Sequence, residues 1–247
     1  MGDTRFKIVV PFYNVEQFIA KTIKSVRLQD YKNYQCILVN DCSTDGSLEI
    51  CLSLVGDDSH FIVANNEEKK CSLENIYCAI YDHTLDDEVV VILDGDDFFY
   101  GRDVLSYLNE IYTKEKCLLT YGSYLNLSTR NRGKFAKQIP VNIIQNNTFR
   151  NFQWCASHLR TFKSSLFKKI KKKDLCDDAA NFFTIGGDLV IMFPMLEMAS
   201  ERSRYIDKIL YIWNDMSDIN DHKKDHPSQL RVESIMRGRE KYERFDG

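Results

Sequence analysis

The chain has 247 residues, 44% of them hydrophobic and 12% aromatic, enough for one sizeable α/β core. Its formal net charge of −3 excludes a basic footprint for non-specific nucleic-acid binding. No apolar run approaches the roughly 20 residues that cross a bilayer, and the start, Met1-Gly2-Asp3-Thr4-Arg5-Phe6, enters a strand and does not read as a signal peptide.

Residues 6–11 (FKIVVP) read as a short buried strand closed by proline. Val15, Phe18, Ile19, Ile23 and Val26 then recur at helical spacing. Residues 34–40 (YQCILVN) form a second strand, 41–46 a turn and 47–55 a helix. A third strand is expected at 61–64, a helix at 73–81, and a fourth strand at 88–93 (EVVVIL), whose unbroken apolar run implies burial on both faces. A helix over about 104–114 and a strand at 117–121 complete the pattern. Strict alternation of strand and helix argues for a mainly parallel central sheet flanked by helices.

Beyond residue 125 the pattern loosens. Residues 126–137 and 145–150 are expected as loops or short antiparallel pieces, 166–173 and 188–200 as helices, and 205–213 as a strand. The tail, 231–242, reads as an amphipathic helix suited to docking a second subunit or a further domain. One domain over 1–247 fits best, with a nucleotide- and metal-binding half (1–125) and a smaller antiparallel acceptor-side half (126–247). Of the eight cysteines none forms a C-x-x-C pair, and most sit in apolar patterns, so reduced thiols in a reducing compartment, the cytoplasm, are expected. The sequons at Asn126 and Asn146 are read as chance.

In a parallel sheet, ligands bind beyond the carboxyl ends of the strands. Asn40-Asp41 and Asp94-Gly95-Asp96-Asp97 both fall there. Carboxylates beside a nucleotide diphosphate make sense only through a cation, and Mn²⁺ or Mg²⁺ accepts few carboxylates and leaves positions for phosphate oxygens. Asp94-Gly95-Asp96 has the D-x-D spacing, and the glycine lets the backbone turn so that both carboxylates face one pocket. The competing reading is a helix cap by Asp96 or Asp97. Asp41-x-Ser43-x-Asp45-Gly46 opens like a calcium loop, but Leu52 stands where that loop needs glutamate. Asp41 is better placed to accept from a uracil N–H, whereas Asp45 and Ser47 are equally explained as turn and cap residues.

These residues together resemble the inverting glycosyltransferases of family 2, which have the GT-A fold. The resemblance is carried by Val9-Val10-Pro11-Phe12-Tyr13-Asn14, Ser25-Val26 with Gln29, the run from Leu38 to Ser47, and Ile92-Leu93-Asp94-Gly95-Asp96-Asp97, in that order. It continues more faintly through His158-Leu159-Arg160-Thr161-Phe162, Gly186-Gly187-Asp188, residues 194–198 and Asn220-Asp221-His222-Lys223. It implies a UDP-sugar donor, UDP-glucose or UDP-galactose first, with Pro11, Tyr13, Asn14, Asp41 and Gly95 in the nucleotide-sugar site. It further implies Asp94 at ribose or metal, Asp96 on Mn²⁺ or Mg²⁺, His222 completing the metal shell, and Asp188 as catalytic base. Asn40 stands where many members carry an acid, and Gly187 where Glu is common.

An inverting transfer needs a base for the acceptor hydroxyl and stabilisation of the departing diphosphate. Arg160 is the best phosphate-facing cation. Several of these residues have plainer explanations. Asp188 could cap the apolar helix that follows, His158 and Trp154 could be core residues rather than sugar or acceptor contacts, and His222 could lie in a solvated loop. Lys168-Lys169-Ile170-Lys171-Lys172-Lys173 could meet an anionic membrane or acidic acceptor, but reads first as a solvated helix end. The acceptor class, whether glycan, lipid or protein hydroxyl, is left open. Two other functions compete: a non-catalytic nucleotide or glycan binder, which would have no use for a base, and a nucleotidyl or phosphoryl transferase, which would want a Gly-rich loop after the first strand.

Overall fold

The first half folds as its alternation of apolar runs requires. In the computed structural model, which describes residues 3–217 and 225–245, β1 (Phe6–Phe12), β2 (Tyr34–Asn40), β3 (Phe61–Asn65) and β4 (Val89–Ile92) are parallel and lie in the order β3-β2-β1-β4. Every residue of β1 and β4 is buried, as a strand covered on both faces must be. Alternate side chains enter opposite cores. Ile8, Val10, Val89 and Val91 pack towards α1 (Ile19–Arg27) and α4 (Val104–Glu115). Val9, Ile37, Val90 and Ile92 pack towards α3 (Ser72–His83). α2 (Ser47–Val55) covers the edge beside α1. Strand order reverses at β1, and it is beyond the carboxyl ends of the strands at such a reversal that open α/β sheets bind ligands.

The remaining strands extend the same sheet instead of building another. They are β5 (Phe98–Phe99), β6 (Leu119–Asn126), β7 (Ser157–Lys163) and β8 (Ser203–Trp213), and the full order is β3-β2-β1-β4-β7-β6-β8-β5. β7 runs antiparallel between β4 and β6, in register Ile92↔Arg160 and Val91↔Thr161. β7 was not expected from the sequence: its SHLRTFK has polar residues where a buried strand is usually apolar. The strand expected at 117–121 starts later and runs to Asn126.

Helices α5 (Val141–Gln145) and α6 (Ser164–Phe167) are short, whereas α7 (Gly187–Ala199) is buried from Leu189 onward. The helix expected over 166–173 breaks after α6: the Lys169 and Ile170 amides bond only three residues back, to Leu166 and Phe167, and the Lys171 amide donates to Tyr242 Oη. The lysines there lay their ammonium groups over rings, Lys171 over Tyr242 and Lys172 over Phe182.

The tail helix, α8 (His226–Gly238), begins earlier than expected, where the Asp225 side chain accepts from Ser228 N at 3.0 Å and Pro227 sits in the first turn. Val232 and Met236 turn its apolar face onto the core around α7 of the same chain. Beyond Gly238 the chain runs along α7, with Tyr242 N donating to Glu197 Oε2 (3.0 Å) and Phe245 N to the Met198 carbonyl (2.9 Å). Beneath it lies a buried ion pair, Arg150 Nη2 to Glu197 Oε2 at 2.9 Å. All eight cysteines are free thiols. No helix among the described residues is long and apolar enough to cross a membrane.

Candidate active site

Two loops at the carboxyl ends of β1 and β2 are zipped to each other. Asn14 N donates to Ser43 Oγ (3.0 Å), Thr44 N to Asn14 Oδ1 (2.7 Å), Val15 N to Ser47 Oγ (2.8 Å) and Gly46 N to Glu16 Oε2 (2.8 Å). Asn14 is thus engaged through both ends of its amide and, with φ at 51°, occupies the left-handed region that Asn tolerates better than most residues. Asp45 and Ser47 work as turn and tie: Asp45 Oδ1 accepts from Ser47 N at 3.0 Å.

Asp41 follows β2 and is buried. Its Oδ1 accepts from Asn66 Nδ2 (3.0 Å) and Lys70 N (2.8 Å), and Asn66 also reaches Asn75 Oδ1 (2.7 Å). Pro11 lies in the adjoining strand, one residue before its end at Phe12, and the Tyr13 ring just beyond carries Lys69 Nζ 3.3 Å from its centroid. Asn66, Lys69 and Lys70 had no sequence signal of their own; they arrive because the loop after β3 folds over Asp41.

Gly95 joins these loops to the carboxylates. A Cβ there would lie 2.4 Å from Phe12 Cβ. Glycine is therefore demanded by the approach of β1, a different reason from the tight turn expected of it. Its carbonyl accepts from Thr22 Oγ1 at 2.8 Å and its amide donates to Pro11 O at 3.2 Å.

Around Gly95 three carboxylates crowd together. Burial pushes Asp94 up to about 6; nearby Arg160 opposes this, whereas Asp96 and Asp188 add to it. Burial also raises Asp96, tempered by a hydrogen bond from Ser217, and lifts Asp97 well above the usual carboxylate range, with Asp96 and Asp94 adding repulsion. Asp97 does not cap α4, whose N-cap is Asp103. It ties the end of β4 to β8 instead: Oδ2 accepts from Tyr211 Oη (2.5 Å) and Oδ1 from Asn214 N (2.6 Å). Tyr211, Asn214 and Ser217 were invisible as site residues, since only the pairing of β8 with β6 and β5 brings them here.

Asp96 Oδ2 is buried without a hydrogen-bond partner among the described residues. An orphaned carboxylate oxygen beside the buried Asp97 and the half-buried Asp94 is a donor set that suits a hard divalent cation. Ligand atoms of Asp94, Asp97 and His158 also lie within 4.8 Å of one another. His158, expected to meet sugar or acceptor, thus borders the carboxylates, its ring 4.5 Å from that of Tyr211. His222 lies outside the described residues.

Asp188 lies in the first turn of α7, whose N-cap is Gly186, with no side-chain capping bond. It faces the site: Arg160 Nη2 donates to Asp188 Oδ2 at 3.0 Å and lies 3.1 Å from His158 Nε2. Arg160 Nε is buried with no hydrogen-bond partner among the described residues. Trp154 stays apart from this group, its ring 5.2 Å from Phe193 of α7 in an apolar cavity shared with Ile139 and Phe149.

The chain belongs to glycosyl transferase family 2, whose model matches residues 7–171. It is 24% identical over 228 residues to glycosyltransferase GlyA of Streptococcus pneumoniae, an alignment that covers 85% of this chain and 30% of GlyA. The fold matches S. aureus TarS 1-349 in complex with UDP-GlcNAc, with a TM-score of 0.69 and 16% identity, covering 94% of this chain and 66% of that one. It also matches glucosyl-3-phosphoglycerate synthase from Mycobacterium tuberculosis in complex with Mn²⁺, UDP and glucosyl-3-phosphoglycerate, with a TM-score of 0.61 and 14% identity, covering 96% and 80%. The α/β architecture is thus the GT-A fold shared by these transferases. The chain spans less than a third of GlyA.

Proposed function

We propose that the chain is an inverting glycosyltransferase that moves a hexose from a UDP-sugar, glucose or galactose first, to an acceptor hydroxyl. The observation that carries this reading is the place of the Arg160 guanidinium, which donates to Asp188 Oδ2 at 3.0 Å from a strand position paired with Ile92, two residues before Asp94. A carboxylate at the end of β4 and another at the start of α7 thereby face one reaction volume.

Pro11 and Tyr13 flank the base, and Asp41, with Oδ1 committed to Asn66 and Lys70, accepts from the uracil N–H through Oδ2. Asp94 meets the ribose or the cation. Asp96, helped by Asp94, would hold Mn²⁺ or Mg²⁺, and the orphaned Oδ2 of Asp96 supports this. When bound, the ion supplies Lewis-acid neutralisation of the departing diphosphate. Arg160 adds hydrogen bonds to the same phosphates. Asp188 takes the acceptor proton as that oxygen attacks the anomeric carbon from the face opposite UDP. A single displacement, with no enzyme nucleophile, gives inversion. His222 is kept as a further metal ligand and His158 as a sugar-side contact; Trp154, set in the apolar cavity beside α7, would reach an acceptor only from that side. Residues 1–125 serve the donor and 126–247 the acceptor within one GT-A domain. The free thiols support a reducing compartment, the cytoplasm.

The test is UDP release from a panel of UDP-sugars with Mn²⁺. Release is expected, and Asp188→Asn should lower kcat by about 10²- to 10⁴-fold while UDP still binds. Metal-dependent UDP binding without turnover of any donor would favour a non-catalytic binder. Full activity in Asp188→Asn would remove Asp188 as the base.

A further inference from the structure

Arg160 has one guanidinium and two claims on it. Its Nη2 serves Asp188 Oδ2 at 3.0 Å and lies 3.1 Å from His158 Nε2. Its side chain is 10% exposed, and Nε is buried without a partner among the described residues. An unmet N–H in such a place is costly, and it persists where a ligand atom completes the set. Arg160 pairs with Ile92 across the sheet, two residues before Asp94, and its charge acts directly on Asp94. The guanidinium therefore stands between the place where a diphosphate would arrive and the carboxylate that would take the acceptor proton.

We propose that Arg160 is a positioning residue that latches Asp188 in the donor-free chain and is drawn off it by the donor's diphosphate, so that donor binding frees the base. This rests on the donor-site reading above and deepens it. While Arg160 donates to Asp188 Oδ2, it occupies one lone pair of that oxygen and holds the carboxylate towards β7 rather than towards an acceptor hydroxyl. A diphosphate offers the fork of Arg160 two acceptor oxygens of higher charge than one carboxylate and satisfies Nε as well. A ligand shifts such an equilibrium only by its differential affinity for the two states. The cost of breaking the Arg160–Asp188 pair must therefore appear in UDP affinity, and removing the carboxylate must return it.

The test is calorimetric UDP binding at saturating Mn²⁺, with uridine as the control that lacks phosphates. Asp188→Asn is expected to tighten UDP by about fivefold or more, the lower range of coupling between two sites, and to leave uridine unchanged. In an Arg160→Gln background the same substitution should change UDP affinity by less than about twofold. Arg160→Lys, which keeps the charge but not the fork, serves if the Gln variant does not fold, and it should also lose the coupling. The latch is overturned if Asp188→Asn leaves UDP affinity unchanged. It is equally overturned if uridine tightens as much, or if the gain persists without Arg160, since simple charge removal would then explain it. If the unaltered chain binds uridine and UDP not at all, the donor-site reading falls and takes the latch with it, a result distinct from UDP binding that Asp188 does not influence.

Discussion

The proposed donor side and the proposed acceptor side of this sheet are held by different means. On the donor side, the loops after β1 and β2 are stitched by many short hydrogen bonds between neighbouring motifs, such as Asn14 with Ser43 and Thr44. On the acceptor side, a few buried charges do the holding: Arg150 and Glu197 pin the tail to α7, and Arg160 reaches Asp188 from β7. Many weak ties give a loop pair that tolerates single losses. A buried ion pair fails as a unit, because removing one partner strands the other charge away from water.

Breaking the acceptor side should therefore cost most. Arg150→Ala leaves Glu197, fully buried, without its partner, and urea unfolding should show a loss of about 3–5 kcal/mol. A loss below about 1 kcal/mol would mean that the pair contributes no more than a surface contact.

On the donor side the largest effect should be chemical. Asp96→Asn should lower UDP release by about 10²- to 10³-fold without loss of thermal stability, since a buried charge with an orphaned oxygen is removed. If Asp97→Asn is the more damaging of the two for metal-dependent UDP binding, the cation sits with Asp94, Asp97 and His158 instead.

Gly95→Ala comes next. With 2.4 Å to Phe12 Cβ, the new methyl must push β1 from β4, and about 1–3 kcal/mol of stability should go with it. Donor affinity should fall in parallel, because Pro11 and Asp94 move apart.

The crowded carboxylates predict a pH effect in the metal-free chain. A carboxyl raised to about 6 in the fold binds its proton more tightly folded than unfolded. That contribution is fully present below the unfolded value near 3.9 and is lost as pH rises through about 6. Without metal, stability should therefore rise by about 1 kcal/mol from pH 7 to pH 5, and Asp94→Asn should flatten the rise. The smallest effect is expected of Asn14→Ala, about 0.5–1 kcal/mol, because the remaining ties keep the two loops together; a much larger loss would erase the contrast between the two sides.

The sequence by itself determined the parallel half. Its strands are apolar runs whose side chains alternate between two cores, and its motifs are contiguous, so Asp41 and Asp94-Gly95-Asp96-Asp97 could be placed at strand ends without coordinates. Asp188 was also legible, as the acid opening an apolar helix. Only the tertiary structure decided which groups these residues meet. β7 carries Ser157, His158 and Arg160 where apolar residues would have announced a strand, because it borders a polar site. Tyr211 of β8 and Asn214 just after it reach Asp97, more than a hundred residues away in the chain. Such contacts depend on antiparallel and crossover pairing that no local periodicity encodes. For that reason the carboxylates could be read from the sequence, whereas the pairing of Arg160 on β7 with Asp188 on α7 could not.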